Sequence, residues 1–202
     1  AAGSLHVVYA GGGNWQLTGT HTDLRHPKSG LTVQNGSVTL TGTPTLHGYG
    51  TKHTRDTADF STRPNDWHYA DAAMDVTVKN GATFELGSHA RLKGDVTVES
   101  GGVYVMREGV KLSQEYVEGG QRLEDVSKYA AYYGHKGNTV LDGGTLQVEY
   151  SAGVAAPDPY AGNISGTGNM SVDLKSATAT FTLSGDNTFS GTKTLVSGGL
   201  IA

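Results

Sequence analysis

The stretch Val76–Met106, VTVKNGATFELGSHARLKGDVTVESGGVYVM, states one phrase twice. Val76-Thr77-Val78, a polar residue and Asn80-Gly81-Ala82 are answered twenty positions later by Val96-Thr97-Val98, a polar residue and Ser100-Gly101-Gly102. Each copy alternates apolar and polar side chains, the mark of a half-buried strand. Each then passes through a small or polar pair of the kind that turns tightly between strands. Strand resumes at Thr83-Phe84-Glu85-Leu86 in one copy and Val103-Tyr104-Val105-Met106 in the other. Self-similarity at a fixed period near twenty residues is the signature of a solenoid. The pattern predicts an all-β chain, folded as a right-handed, single-stranded parallel β-helix.

Leu31-Thr32-Val33-Gln34-Asn35-Gly36-Ser37-Val38 repeats the phrase 45 residues before Val76, and Thr139–Leu146 and Thr194–Leu200 are looser copies. The spacing departs from twenty where stretches are inserted, at about 44–75 and 107–138 within one segment spanning 1–202. The remaining residues make about seven coils at roughly twenty residues each. At roughly 4.8 Å per layer, that is a rod on the order of 30–35 Å long.

Thirty glycines in 202 residues are about twice the usual share of roughly 7%, and they fall between short Val/Thr/Leu strands. Charged residues are 17% of the chain, with 15 basic against 19 acidic and a net charge of −4. A nucleic-acid surface needs clustered Lys and Arg, so nucleic acid is not an expected partner. No apolar run approaches the roughly 18–20 residues of a membrane span. The ending on Leu200-Ile201-Ala202 reads as mid-strand and predicts a piece of a longer chain. There is no cysteine; a continuous ladder core dispenses with disulfides.

The inserted stretches are where contact surfaces are expected. Residues 50–73 show no steady period, and loops beyond about 12–15 residues are usually functional or disordered. Gln121–Tyr133 spaces Leu123, Val126, Ala130 and Tyr133 as a short amphipathic helix would, with Gly134 at the C-cap position. The candidate binding residues are Tyr49, Trp67, His68 and Tyr69 in the first stretch and Tyr129, Tyr132 and Tyr133 in the second. Aromatics on loops mark binding patches; they also pack down onto the coil beneath as satellite cores. Both readings stand on the sequence.

Eight histidines, at 6, 21, 26, 47, 53, 68, 89 and 135, raise the question of a metal. None forms an i, i+4 helical pair or a tight zinc spacing, so no metal and no cofactor is predicted. Asp56, Asp59, Asp66, Asp71 and Asp75 lie in or beside the first insertion. Paired carboxylates there would be the starting point for a polysaccharide-cleaving cleft; a solvated acidic loop explains them equally.

The tail LSGDNTFSGTKTLVSGGLIA resembles the passenger-associated repeat of bacterial autotransporters, with Leu183, Gly185, Asn187, Thr188, Gly191, Thr194, Gly198 and Leu200 matching its pattern. LTGTPTLHGYGT (Leu40–Thr51) and Asn65–Val98 are similar to the passenger stalk of the serine protease autotransporters, the group that includes the immunoglobulin A proteases. The chain departs from that group in having no Gly-Asp-Ser-Gly-Ser nucleophile motif, so no catalytic residue carries over. It also has no run of aromatic-girdled strands for a membrane barrel. The resemblance implies a non-enzymatic stalk on the bacterial cell surface or secreted from it. Such a stalk presents a distal functional domain, supports secretion and belongs to a parent with a C-terminal outer-membrane barrel. Two other expectations stay open. One is an adhesin whose inserted stretches bind host protein or glycan or mediate self-association; the other is a polysaccharide-cleaving β-helix enzyme.

Overall fold

A computed structural model describes residues 5–18, 29–41, 70–87, 90–108, 117–118, 121–122, 134–152 and 159–202. The first coil is β1 (His6–Tyr9) and β2 (Asn14–Thr18), and the second is β3 (Gly30–Val33) and β4 (Gly36–Thr41). The third holds β5 (Ala70–Ala72), β6 (Asp75–Val78) and β7 (Ala82–Leu86); the fourth holds β8 (Ala90–Leu92), β9 (Val96–Glu99) and β10 (Val103–Arg107). A two-residue hairpin, β11 (Val117–Glu118) with β12 (Gln121–Arg122), follows within the second inserted stretch. The fifth coil is β13 (Gly134–His135), β14 (Thr139–Asp142) and β15 (Thr145–Glu149), and the sixth is β16 (Ile164–Gly166) and β17 (Asn169–Asp173). β18 (Thr180–Thr182), β19 (Lys193–Ser197) and β20 (Gly199–Ile201) complete the chain.

These strands stack into a parallel β-helix. One long sheet runs β1-β3-β6-β9-β14-β16, a second runs β2-β4-β7-β10-β15-β17-β19, and a short third sheet is β5-β8-β13. Every pairing between coils in these sheets is parallel. The two copies of the central phrase lie directly on one another, Val76 on Val96 and Val78 on Val98, at the expected step of twenty. The step varies along the rod: Trp15 stacks on Val38 at 23, Thr139 on Ile164 at 25 and Phe181 on Leu200 at 19. No helix occurs among the described residues. The amphipathic helix expected over Gln121–Tyr133 falls on β12 at its first two residues and otherwise lies outside the described residues.

The alternation in the sequence becomes columns of side chains inside the rod. Val33, Val78, Val98 and Leu141 form one column of the first sheet, all fully buried. Val38, Phe84, Tyr104, Leu146 and Met170 form one in the second, and Leu40, Leu86, Met106, Val148 and Val172 its neighbour. Each buried Val, Leu or Phe contributes roughly 1.5–3 kcal/mol, and every layer presents several. A one-residue slip would turn each set outward, so the columns also fix the register. The second column ends on Leu195 in β19, 50% exposed.

The inserted stretches leave this ladder unbroken. Leu31 pairs with Val76 across 45 residues, and Val96 pairs with Thr139 across 43. The coil before and the coil after each insertion are therefore in direct contact, as solenoids allow.

Candidate functional site

Among the described residues, the most elaborate polar arrangement is a corner repeated in successive coils, where the chain passes from the third sheet to the first. The fourth, fifth and sixth coils place a glycine followed by Asp or Asn there: Gly94-Asp95, Gly137-Asn138 and Gly162-Asn163. Gly185-Asp186 continues the series in the coil above. These glycines have ordinary φ values, so the turn does not demand them. Space does. A Cβ on Gly94 would overlap the carbonyl of Met74, one on Gly137 that of Gly94, and one on Gly162 that of Gly137. The coils meet backbone to backbone at this edge.

The residue after each glycine ties the layers together. Asp75 Oδ1 accepts the Asp95 N–H at 2.9 Å, and Asp95 Oδ1 accepts the Asn138 N–H at 2.7 Å. Asn138 Oδ1 accepts the Asn163 N–H at 3.1 Å, and Asn163 Oδ1 accepts the Asp186 N–H at 2.8 Å. Each carboxylate or amide thus satisfies a main-chain donor that the corner removes from the sheet ladder, the accounting that every backbone N–H requires. Main-chain bonds from Val96 N–H to Asn138 O and from Thr139 N–H to Asn163 O, each 2.9 Å, run beside this side-chain ladder.

Just inside the corner lies a buried aromatic stack. Phe84 stacks on Tyr104 at 5.7 Å between centroids, Tyr104 meets His135 edge-on at 5.6 Å, and His135 stacks on Tyr160 at 5.3 Å. His135 occupies the inward position of the third sheet that Ala72 and Leu92 fill in the coils below. Its Nε2 lies 2.9 Å from the Gly94 carbonyl, which only accepts, so Nε2 carries the hydrogen and Nδ1 is bare. Burial pushes the imidazole down to about 4, against smaller upward effects from the Gly94 hydrogen bond and Asp95. The Tyr160 hydroxyl donates to the Gly137 carbonyl at 2.8 Å and accepts from the Thr139 hydroxyl at 2.9 Å, which accounts for a fully buried threonine in an apolar column. By contrast, the Tyr104 hydroxyl and His135 Nδ1 have no hydrogen-bond partner among the described residues. Burial raises both tyrosines above the usual phenol range, so they stay neutral.

Outside the rod, ion pairs also link coil to coil. Arg107 bridges Glu85 at 3.1 Å and Glu149 at 2.9 Å, and Lys79 pairs with Glu99 one coil above. Burial works against the Arg107 charge, but the two glutamates more than offset it and hold the guanidinium above its ordinary value. Such half-exposed pairs contribute at most about 1 kcal/mol each.

The residues expected to bind, Tyr49, Trp67, His68, Tyr69, Tyr129, Tyr132 and Tyr133, all lie outside the described residues, as do Asp56, Asp59 and Asp66. Asp75 is described, and its carboxylate is occupied with the Asp95 amide. Two of the eight histidines are described: His6, whose Nε2 lies 3.1 Å from the Thr32 hydroxyl, and His135. Among the described residues no three acidic or histidine side chains come together as metal ligands would. The Gly–Asx ladder was missed in the sequence reading, although a signal was present. A Gly-Asp or Gly-Asn pair immediately precedes Val96, Thr139 and Ile164, the first residues of β9, β14 and β16.

Comparison with protein-family models found no match, and comparison with curated proteins and with solved structures found none either. The geometry by itself places the chain among parallel β-solenoids.

Proposed function

We propose that this chain is a non-enzymatic stalk segment of a secreted bacterial autotransporter passenger, a rigid spacer at the cell surface that presents a distal functional domain and supports secretion. The observation that carries the reading is the unbroken ladder. Residues 45 and 43 apart still pair in register across the two inserted stretches, so one core runs the length of the described rod. A spacer needs that continuity, whereas a ligand-binding loop needs only a local platform.

The autotransporter-like tail supports the same reading, because six of its eight matched positions have a structural task. Leu183 is buried and bridges to Tyr160. Gly185 and Gly191 lie so close to the coil below that a Cβ would strike the Gly162 and Gly168 carbonyls. Asn187 accepts the Ile164 N–H at 3.1 Å, and the Thr188 N–H donates to the Ile164 carbonyl at 2.8 Å. Gly198 turns with φ +88°. The motif thus reads as a recipe for adding a coil.

The test is binding of the purified chain to host matrix proteins, glycans and whole cells. Two variants accompany it, one with residues 44–69 and one with residues 109–133 replaced by short turns. A spacer keeps its fold in both variants and shows no saturable binding in any. Saturable binding that disappears with one stretch would make the chain an adhesin module and overturn the spacer reading.

A further inference from the structure

We propose that His135 is an acid-operated weak point in the rod: a proton added at Nδ1 finds no acceptor among the described residues, and the stacking of the fifth coil on the fourth and of the sixth on the fifth opens there. The geometry supplies the reason. Nε2–H is committed to the Gly94 carbonyl, so the only site for a second proton is Nδ1. That atom is buried among Tyr104, Tyr160 and the third-sheet column, with no partner among the described residues. A buried N–H with no acceptor costs its full desolvation, and a charged one more.

The groups facing the imidazole leave this outcome unchanged. From the fourth coil come the neutral Tyr104 phenol and the Asp95 carboxylate, which favours the proton but is held by the Asn138 N–H. From the fifth coil come Thr139, whose hydroxyl is committed to Tyr160, and the Lys136 ammonium, which disfavours the proton. From the sixth comes Tyr160, whose hydroxyl is turned to Gly137.

The sign follows from the lowered folded-state value. Above about pH 6.5 His135 is neutral folded or unfolded and contributes no pH dependence. Between 6.5 and about 4 the unfolded chain takes up a proton that the folded rod refuses, so stability falls as pH falls. The folded-to-unfolded ratio drops roughly tenfold per pH unit, on the order of 300-fold in all. Below about 4 the proton enters the folded core and this contribution to the loss stops growing.

The experiment follows the His135 ring carbon by NMR from pH 7.5 to 3.5 in the intact chain, beside urea unfolding of the chain and of His135→Gln and His135→Phe. Neither replacement titrates, and glutamine keeps an N–H for Gly94. The expected result is a His135 midpoint below about pH 5 and a pH slope reduced by about one proton in the variants. Amide exchange at Lys136 and Thr139, corrected for intrinsic rate, should quicken on acidification relative to Lys79, which bonds across a different joint. A folded-state midpoint near 6.5, or an unchanged slope in a folded variant, would overturn the proposal. Should both variants fail to fold, the wild-type midpoint and the amide comparison decide it.

Discussion

Two corners of this rod use glycine for opposite reasons. Where the chain turns from the first long sheet to the second, Gly81 adopts φ +76°, and nothing lies within 4 Å of where its Cβ would be. Glycine is there for the hand of the turn. Where the chain turns from the third sheet to the first, Gly137 has an ordinary φ, but its Cβ would overlap the Gly94 carbonyl. There glycine serves the distance between coils. At Gly81 the demand is conformational and internal to the turn; at Gly137 it is steric and comes from the coil below. Close backbone stacking also occurs elsewhere, where a Cβ on Gly168 would overlap the Gly144 carbonyl and one on Gly191 that of Gly168, so Gly81 stands apart as a glycine whose substitution meets no neighbouring coil.

The contrast is broken most directly by Gly137→Ala. A methyl forced against backbone has no flexible neighbour to displace, so the expected loss is about 3 kcal/mol in urea unfolding, the upper end for overpacking. Asn138→Ala, at the adjacent position, removes the acceptor for the Asn163 N–H and the side-chain bond to Asp95. It should cost about 1 kcal/mol, because the site is exposed and water replaces part of what is lost. Gly81→Ala meets only the cost of a left-handed backbone, about 1 kcal/mol. Gly81→Asn should cost less again, within about 0.5 kcal/mol, since asparagine enters that region readily. Equal losses for Gly137→Ala and Gly81→Ala would erase the distinction between the corners.

Much of the architecture was legible because the long sheets alternate. Val76-Thr77-Val78 and Val96-Thr97-Val98 announce strand, register and period together, and the layers of the second sheet number seven, as the residue count predicted. The third sheet was not legible: β5, β8 and β13 have three, three and two residues, too few for alternation to show. The phrase at Thr194–Leu200 resembles the earlier copies but sits elsewhere. Thr194 pairs with Ser171 in the second sheet, and Gly198 turns toward β20. An apolar–polar run followed by Gly-Gly suits any corner, so wording alone does not say which. His135 was legible only as one of eight histidines. Its significance comes from Gly94 and Tyr104, 41 and 31 residues away in sequence and brought beside it by the stacking.

The central claim is that the fifth coil sits directly on the fourth, with the second inserted stretch outside the ladder. The chain has no cysteine, so an introduced pair reports without interference. Thr97 and Val140 face outward on neighbouring strands in register, 43 residues apart in sequence. Their Cα atoms are about one strand spacing apart, near 4.8 Å, within the reach of a disulfide. Thr97→Cys with Val140→Cys should close almost completely under mild oxidation. Thr97→Cys with Ser165→Cys, two layers apart, should stay open. Closure of the second pair as readily as the first, or of neither, would contradict the stacked, in-register rod on which the spacer reading depends.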